Sequence, residues 1–137
     1  MANEFTSLLD VSASGLTAQT RRMRTIAENI ANANTTPASP NEKPYQRQIV
    51  TFKSVIDQVD GTNKVQVKGI VRDKTPFGKH FDPGNPGADK LGYVQRPNVN
   101  GLVETMDMRE AQRSYEANLT VIDASRTLLM RTMDLLT

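Results

Sequence analysis

The chain of 137 residues carries 17 basic and 15 acidic groups, one histidine, no cysteine and no tryptophan, and 37% of its residues are apolar. This is the length of a single globular unit, not of a multidomain machine. A formal charge of +2 lacks the basic excess of a dedicated nucleic-acid binder, and the missing cysteines exclude disulfide frameworks, thiolate metal sites and thiol nucleophiles together.

All seven prolines lie between Thr35 and Asn100, as do most of the glycines. The ends are therefore helical material and the middle is not. The division expected is a helical arm over 1–34, a turn-rich segment with short strands over 35–100 and a second helical arm over 101–137, the arms forming one unit. No secretory signal is expected at the start, because Leu8-Leu9 runs into Asp10, Ser12 and Ser14, and Arg21-Arg22 is followed by Thr25, Glu28 and Asn29 instead of an apolar stretch.

In the first arm Phe5, Leu9, Leu16, Met23, Ile26 and Ile30 alternate by fours and threes, with Ser12, Gln19 and Ala33 at the intervening steps. The spacing predicts a heptad-patterned helix. Asn3, Thr6 or Ser7 is the expected cap. Asn32-Ala33-Asn34 and Pro37 are the expected stop, since asparagine tolerates a left-handed cap conformation and proline cannot continue a helix. The run Ser12-Ala13-Ser14-Gly15 marks either the close approach of another segment or an interruption.

The middle changes period. Residues 45–52 and 64–71 are β-branched, partly alternating runs bounded by turn residues, 82–87 reads as a turn, and 92–95 as a last short strand, giving two or three strands. The second arm follows from about Val103 to Leu136, with Asn98 or Asn100 as cap. Met108, Tyr115, Leu119, Ile122, Leu129, Met133 and Leu136 form its stripe, and Glu104, Asp107 and Glu110 oppose the positive end of the helix dipole.

The fold class expected is mainly α with a small β insertion, its two long terminal helices antiparallel and coiled-coil-like. Leu8, Val11, Ala27, Val121, Leu128 and Leu135 lie off the main stripes, so one partner helix would leave them partly wet. Each subunit then needs neighbours, which argues for an assembly component over a free enzyme.

The chemistry-bearing residues agree. His80 is the only histidine and is expected to be an ordinary exposed residue of a turn-rich stretch, so no histidine pair can hold a metal. Glu104, Asp107 and Glu110 read as dipole partners before they read as paired catalytic carboxylates. There is no Gly-x-Ser-x-Gly and no phosphate-cradling glycine loop. Arg21-Arg22-Met23-Arg24 fits a solvated or neighbour-paired helix face better than a phosphate grip. No catalytic, metal or cofactor site is expected, and the chain is not expected to be an enzyme.

Ser14-Gly15-Leu16, Ala18 and the run Ile26-Ala27-Glu28-Asn29-Ile30-Ala31-Asn32-Ala33-Asn34-Thr35 resemble the N-terminal signature of the bacterial flagellar axial proteins. Within that family Pro44-Tyr45-Gln46-Arg47, the block from Phe81 to Asp89, Gly92-Tyr93-Val94, Pro97-Asn98-Val99-Asn100, Glu104 to Met108 and Arg113 to Asn118 resemble the proximal-rod branch. The insertion from Pro37 to Pro44 and Asn85 depart from the family pattern. The resemblance implies a structural subunit of the rod, the torque-transmitting drive shaft of the basal body, exported without a cleaved signal. Its implied partners are copies of itself, other rod proteins, the inner-membrane ring, the rod adaptor and the type III export apparatus, with no nucleic acid and no small-molecule substrate. Another axial or rod-adaptor subunit is the alternative, and a small basic nucleic-acid binder a more remote one.

The residues expected to carry helix association and assembly are Leu9, Leu16, Ile26, Ile30, Leu119, Ile122, Leu129 and Met133. Asn29, Asn32, Tyr115 and Asn118 are expected to fix register through polar contacts.

Overall fold

The computed structural model describes residues 2–136, with side chains from Glu4 onward. Helix α1 (Ala2–Ala31) leads into strands β1 (Gln48–Ile56), β2 (Asn63–Arg72), β3 (Gly78–Phe81) and β4 (Tyr93–Arg96), and helix α2 (Gly101–Leu136) closes the chain. The expected class, two long helices around a small β insertion, is the observed one.

Several local expectations change. Thr6 and Ser7 lie inside α1 and do not cap it, and the side chain of Asn3 is outside the described residues. The helix ends without a left-handed asparagine, for no described non-glycine residue has positive φ. Instead the Asn32 side-chain amide donates to the Glu28 carbonyl at 2.8 Å, and successive N–H groups of Asn32, Ala33 and Thr35 turn back three residues. At the start of α2 the cap is Asn100, whose Oδ1 accepts from the N–H groups of Leu102 at 3.0 Å and Val103 at 3.4 Å.

The middle has four strands, not two or three. β3 escaped the sequence pattern because its four residues are all exposed and show no alternation; His80 lies in it and is exposed, as expected. It pairs antiparallel with β4 in the register Gly78↔Arg96 to Phe81↔Tyr93. Gly92 makes the connection possible, with φ of 86° and the Phe81 ring where a Cβ would sit. β1 and β2 form a separate two-stranded sheet.

The chain divides into two compact units. One takes α1 through Met23, residues 50–69 and α2 from Arg109; the other takes residues 24–49 and 70–108. In the first unit α1 and α2 run antiparallel, since Gly15 meets Asn118 while Arg22 reaches Glu110 at 3.5 Å. The buried residues there are small: Ser12, Ala18, Ala111 and Ser125. Small side chains let two helix axes approach closely. This resolves the run from Ser12 to Gly15 as a close approach: the helix is continuous, a Cβ on Gly15 would lie 2.7 Å from Asn118 Nδ2, and Ser14 Oγ accepts the N–H of Val65 at 3.2 Å. In the second unit the buried residues include Thr25, Ile26, Asn29, Val94 and Glu104.

Candidate assembly site

In the second unit a polar cluster ties the end of α1, the start of β1 and the start of α2 together. Asn29 has every amide position in use. Its Nδ2 donates to the Gln48 carbonyl at 2.8 Å and to Glu104 Oε2 at 3.0 Å, while its Oδ1 accepts from the Tyr45 hydroxyl at 2.8 Å and the Gln48 N–H at 3.0 Å. Glu104, fully buried, receives the Arg47 guanidinium on its other oxygen. Arg47 also reaches Asp73 and Asp107, each at 3.3 Å.

One guanidinium thus serves three carboxylates, an arrangement its planar fork of donors permits. Burial works against the Arg47 charge, yet the hydrogen bond and charge of Glu104, and then of Asp73, outweigh it and hold the group above its ordinary pKa. Thr75 side-chain and backbone hydrogen bonds, aided by Arg47, hold Asp73 below the usual carboxylate range. Burial, then Glu28 and Glu104, pushes Tyr45 up. Asn98 completes the frame, accepting the Arg47 N–H at 2.7 Å and donating to the carbonyls of Asp73 and Thr75.

Sequence analysis missed this cluster. Glu104 and Asp107 had been read as dipole partners, but Glu104 is a buried ion-pair member. A fully buried acid leaves no periodic signature. The motif Pro44-Tyr45-Gln46-Arg47 was the available signal, because it sets an aromatic hydroxyl and an arginine side by side in a loop.

In the first unit the tip of the β1–β2 hairpin is pinned against α1. Ser7 donates to Asp60 at 3.1 Å, and Lys64 bridges Asp57 at 2.8 Å and Asp10 at 3.5 Å. Lys64 holds Asp57 below the ordinary carboxylate range, and Thr62 does the same for Asp60.

The expected assembly residues fall into distinct settings. Ile26 is buried; Leu9, Leu16 and Ile122 are half-buried; Ile30, Leu119, Leu129 and Met133 are exposed. Asn29 and Asn118 stand at interior contacts, Asn32 binds its own helix end, and Tyr115 is half-buried. Leu9, Leu16, Ile26 and Ile122 are thus at least partly covered within the chain, whereas Ile30, Leu119, Leu129 and Met133 are left exposed. The off-stripe residues Leu8, Val121, Leu128 and Leu135 are exposed as expected.

Among the described residues no group of acidic side chains and histidine could hold a metal ion, and no described helix is long and apolar enough to cross a membrane. Of the arginine cluster, Arg22 pairs with Glu110, whereas Arg21 and Arg24 are exposed.

Two family models match the helical ends: "Flagella basal body rod protein" over residues 9–37 and "Flagellar basal body rod FlgEFG protein C-terminal" over residues 90–135. Among curated relatives, the flagellar basal-body rod protein FlgC of Agrobacterium fabrum is 50% identical, across 92% of this chain and 91% of its own. That of Bacillus subtilis is 39% identical across 93% and 95%, and that of Escherichia coli O6:H1 33% identical across 94% and 96%. The chain belongs to the FlgC family of flagellar basal-body rod proteins. The two models together take in most of both helices, while the FlgC relatives extend across the strands between them. The family is one of structural rod proteins.

Proposed function

We propose that this FlgC-family chain is a torque-transmitting subunit of the rod, joined to copies of itself and to other rod proteins through the aliphatic rows of its two helices. The observation that carries this reading is the exposure of Leu8, Leu119, Leu128, Met130 and Leu135 on the unit whose fully buried residues, among those described, are all small. Exposed rows of this extent are unfavourable in water and favourable once neighbours cover them. Heterologous contacts between such rows propagate along a helix of subunits and do not close into dimers. Rigidity follows when each row is buried against several neighbours. The inner-membrane ring, the rod adaptor and the type III export apparatus are the further partners of this reading. The route out of the cytoplasm requires no cleaved signal.

The test is a motility assay in a strain lacking its own copy of the protein. Leu119→Asp and Ile122→Asp should abolish swimming while the chain is still expressed. Normal swimming with both variants would overturn the assembly role of these rows.

A further inference from the structure

A cavity of about 710 Å³ in the first unit opens between the start of α1 and the hairpin tip. Its apolar floor is Leu8, Val11 and Val59, and its rim carries the carboxylates of Glu4, Asp10 and Asp60. Lys64 offsets part of that charge through Asp10, while Asp60 has the hydroxyls of Ser7 and Thr62 and the Thr62 N–H as its hydrogen-bond partners. Val59 is 96% exposed, more than any other large apolar residue among the described residues.

On the same unit α2 presents a row spaced by fours and threes: Ala117, Val121, Ala124, Leu128, Arg131 and Leu135. Every member is exposed. The row is a heptad seam with no helix against it, and a seam of that period is shaped to receive another helix. In the groove, Glu4, Leu8 and Val11 follow the same spacing on α1. One surface is apolar with an acidic rim and the other apolar with a single arginine. Because the row is exposed on the chain that carries the groove, it does not fill its own.

We infer that the acid-rimmed groove of one copy receives the exposed row of α2 from a second copy, with Leu128 and Leu135 on the apolar floor and Arg131 among the rim carboxylates. This rests on the rod-subunit reading and assigns one of its contacts. Such a joint is heterologous: the receiving copy still offers its own α2 row, so copies add in sequence. The hairpin tip becomes part of the joint, with Val59 as its apolar contact.

The full chain has no cysteine, so engineered pairs report without background. Copies carrying Val59→Cys and differently tagged copies carrying Leu128→Cys are mixed and oxidised. A mixed disulfide-linked dimer is expected from the mixture, and a ladder of higher species from the double variant. Arg131→Glu should lower the mixed-dimer yield about fivefold or more, and adding Asp60→Arg to the receiving copy should restore it. A yield no greater than with Glu116→Cys, an exposed position off the row, would overturn the assignment. So would a disulfide within one chain in the double variant. Motility separates the two readings. If the unmodified chain restores swimming but the cysteines fail to link, the groove assignment falls and the rod role stands. If they link and swimming is not restored, the reverse holds.

Discussion

In the unit that holds Arg47, the buried side chains include the Asn29 amide and the Glu104 carboxylate, each bonded to a named partner; in the unit that holds the hairpin tip, the buried residues among those described are two alanines and two serines. The first spends its interior on directional bonds between segments far apart in sequence. The second keeps only small residues fully buried, half-covers Leu9, Leu16 and Ile122, and leaves Leu8, Leu119, Leu128 and Leu135 exposed. The difference teaches what each is for. Directional bonds specify one geometry within a chain, whereas unspent apolar surface attracts further chains.

The comparison breaks most directly at Arg47. Arg47→Ala leaves Glu104 buried without its counter-charge and should cost about 3–5 kcal/mol, read from urea unfolding. Adding Glu104→Gln to that variant should recover a substantial part of the loss, because the uncompensated charge is gone. No recovery would mean that Arg47 acts mainly through its contacts with Asp73 and Asp107.

Gly87→Ala should come next, at about 1–3 kcal/mol, since a Cβ there runs into the Pro37 carbonyl, a backbone atom that cannot easily yield. Gly15→Ala makes the sharper contrast. Its Cβ would meet only the end of the Asn118 side chain, which can turn aside, and alanine gains about 1 kcal/mol of helix propensity over glycine. A loss as large as that of Gly87→Ala would show that the helix seam is as unyielding as the loop.

Acid should produce a smaller effect. Asp73 has its folded pKa depressed, so its contribution is complete above the ordinary carboxylate pKa of about 4 and fades as pH falls through the folded value. The melting temperature should stay level from about pH 8 to 5 with respect to this group and drop below about pH 4, and Asp73→Asn should flatten the drop. Asp57 and Asp60 are depressed too, and the same acid range should loosen the hairpin tip.

The smallest effect on the single chain belongs to the exposed rows. Leu128→Ala should change its unfolding free energy by no more than about 0.5 kcal/mol, while lowering assembly. A larger loss in the isolated chain would place Leu128 in the interior.

The helices were legible because proline and glycine avoid them and because heptad spacing survives over many residues. What was not legible is which row meets which partner. Apolar periodicity points to large side chains, and Leu119, Leu129 and Met133 were accordingly expected to associate; the seam inside the chain is instead marked by Ala18, Gly15, Ala111 and Ser125, whose smallness carries no hydropathy signal. β3 was missed for want of alternation. The cluster at Arg47 was hidden because its members come from three separate stretches, and a buried acid looks like a surface acid until its partner is found. The family motifs pointed at these residues without saying what they touch.

Asn29 has one consequence beyond stability. Its amide gives Gln48 both an N–H donor and a carbonyl acceptor, the pair of groups that a neighbouring strand would offer. A single side chain thus imitates a peptide unit and closes the open edge of β1 at that residue. An exposed edge is a template for stray strand pairing. This plug leaves Gln48 without the free backbone groups that a stray strand would need.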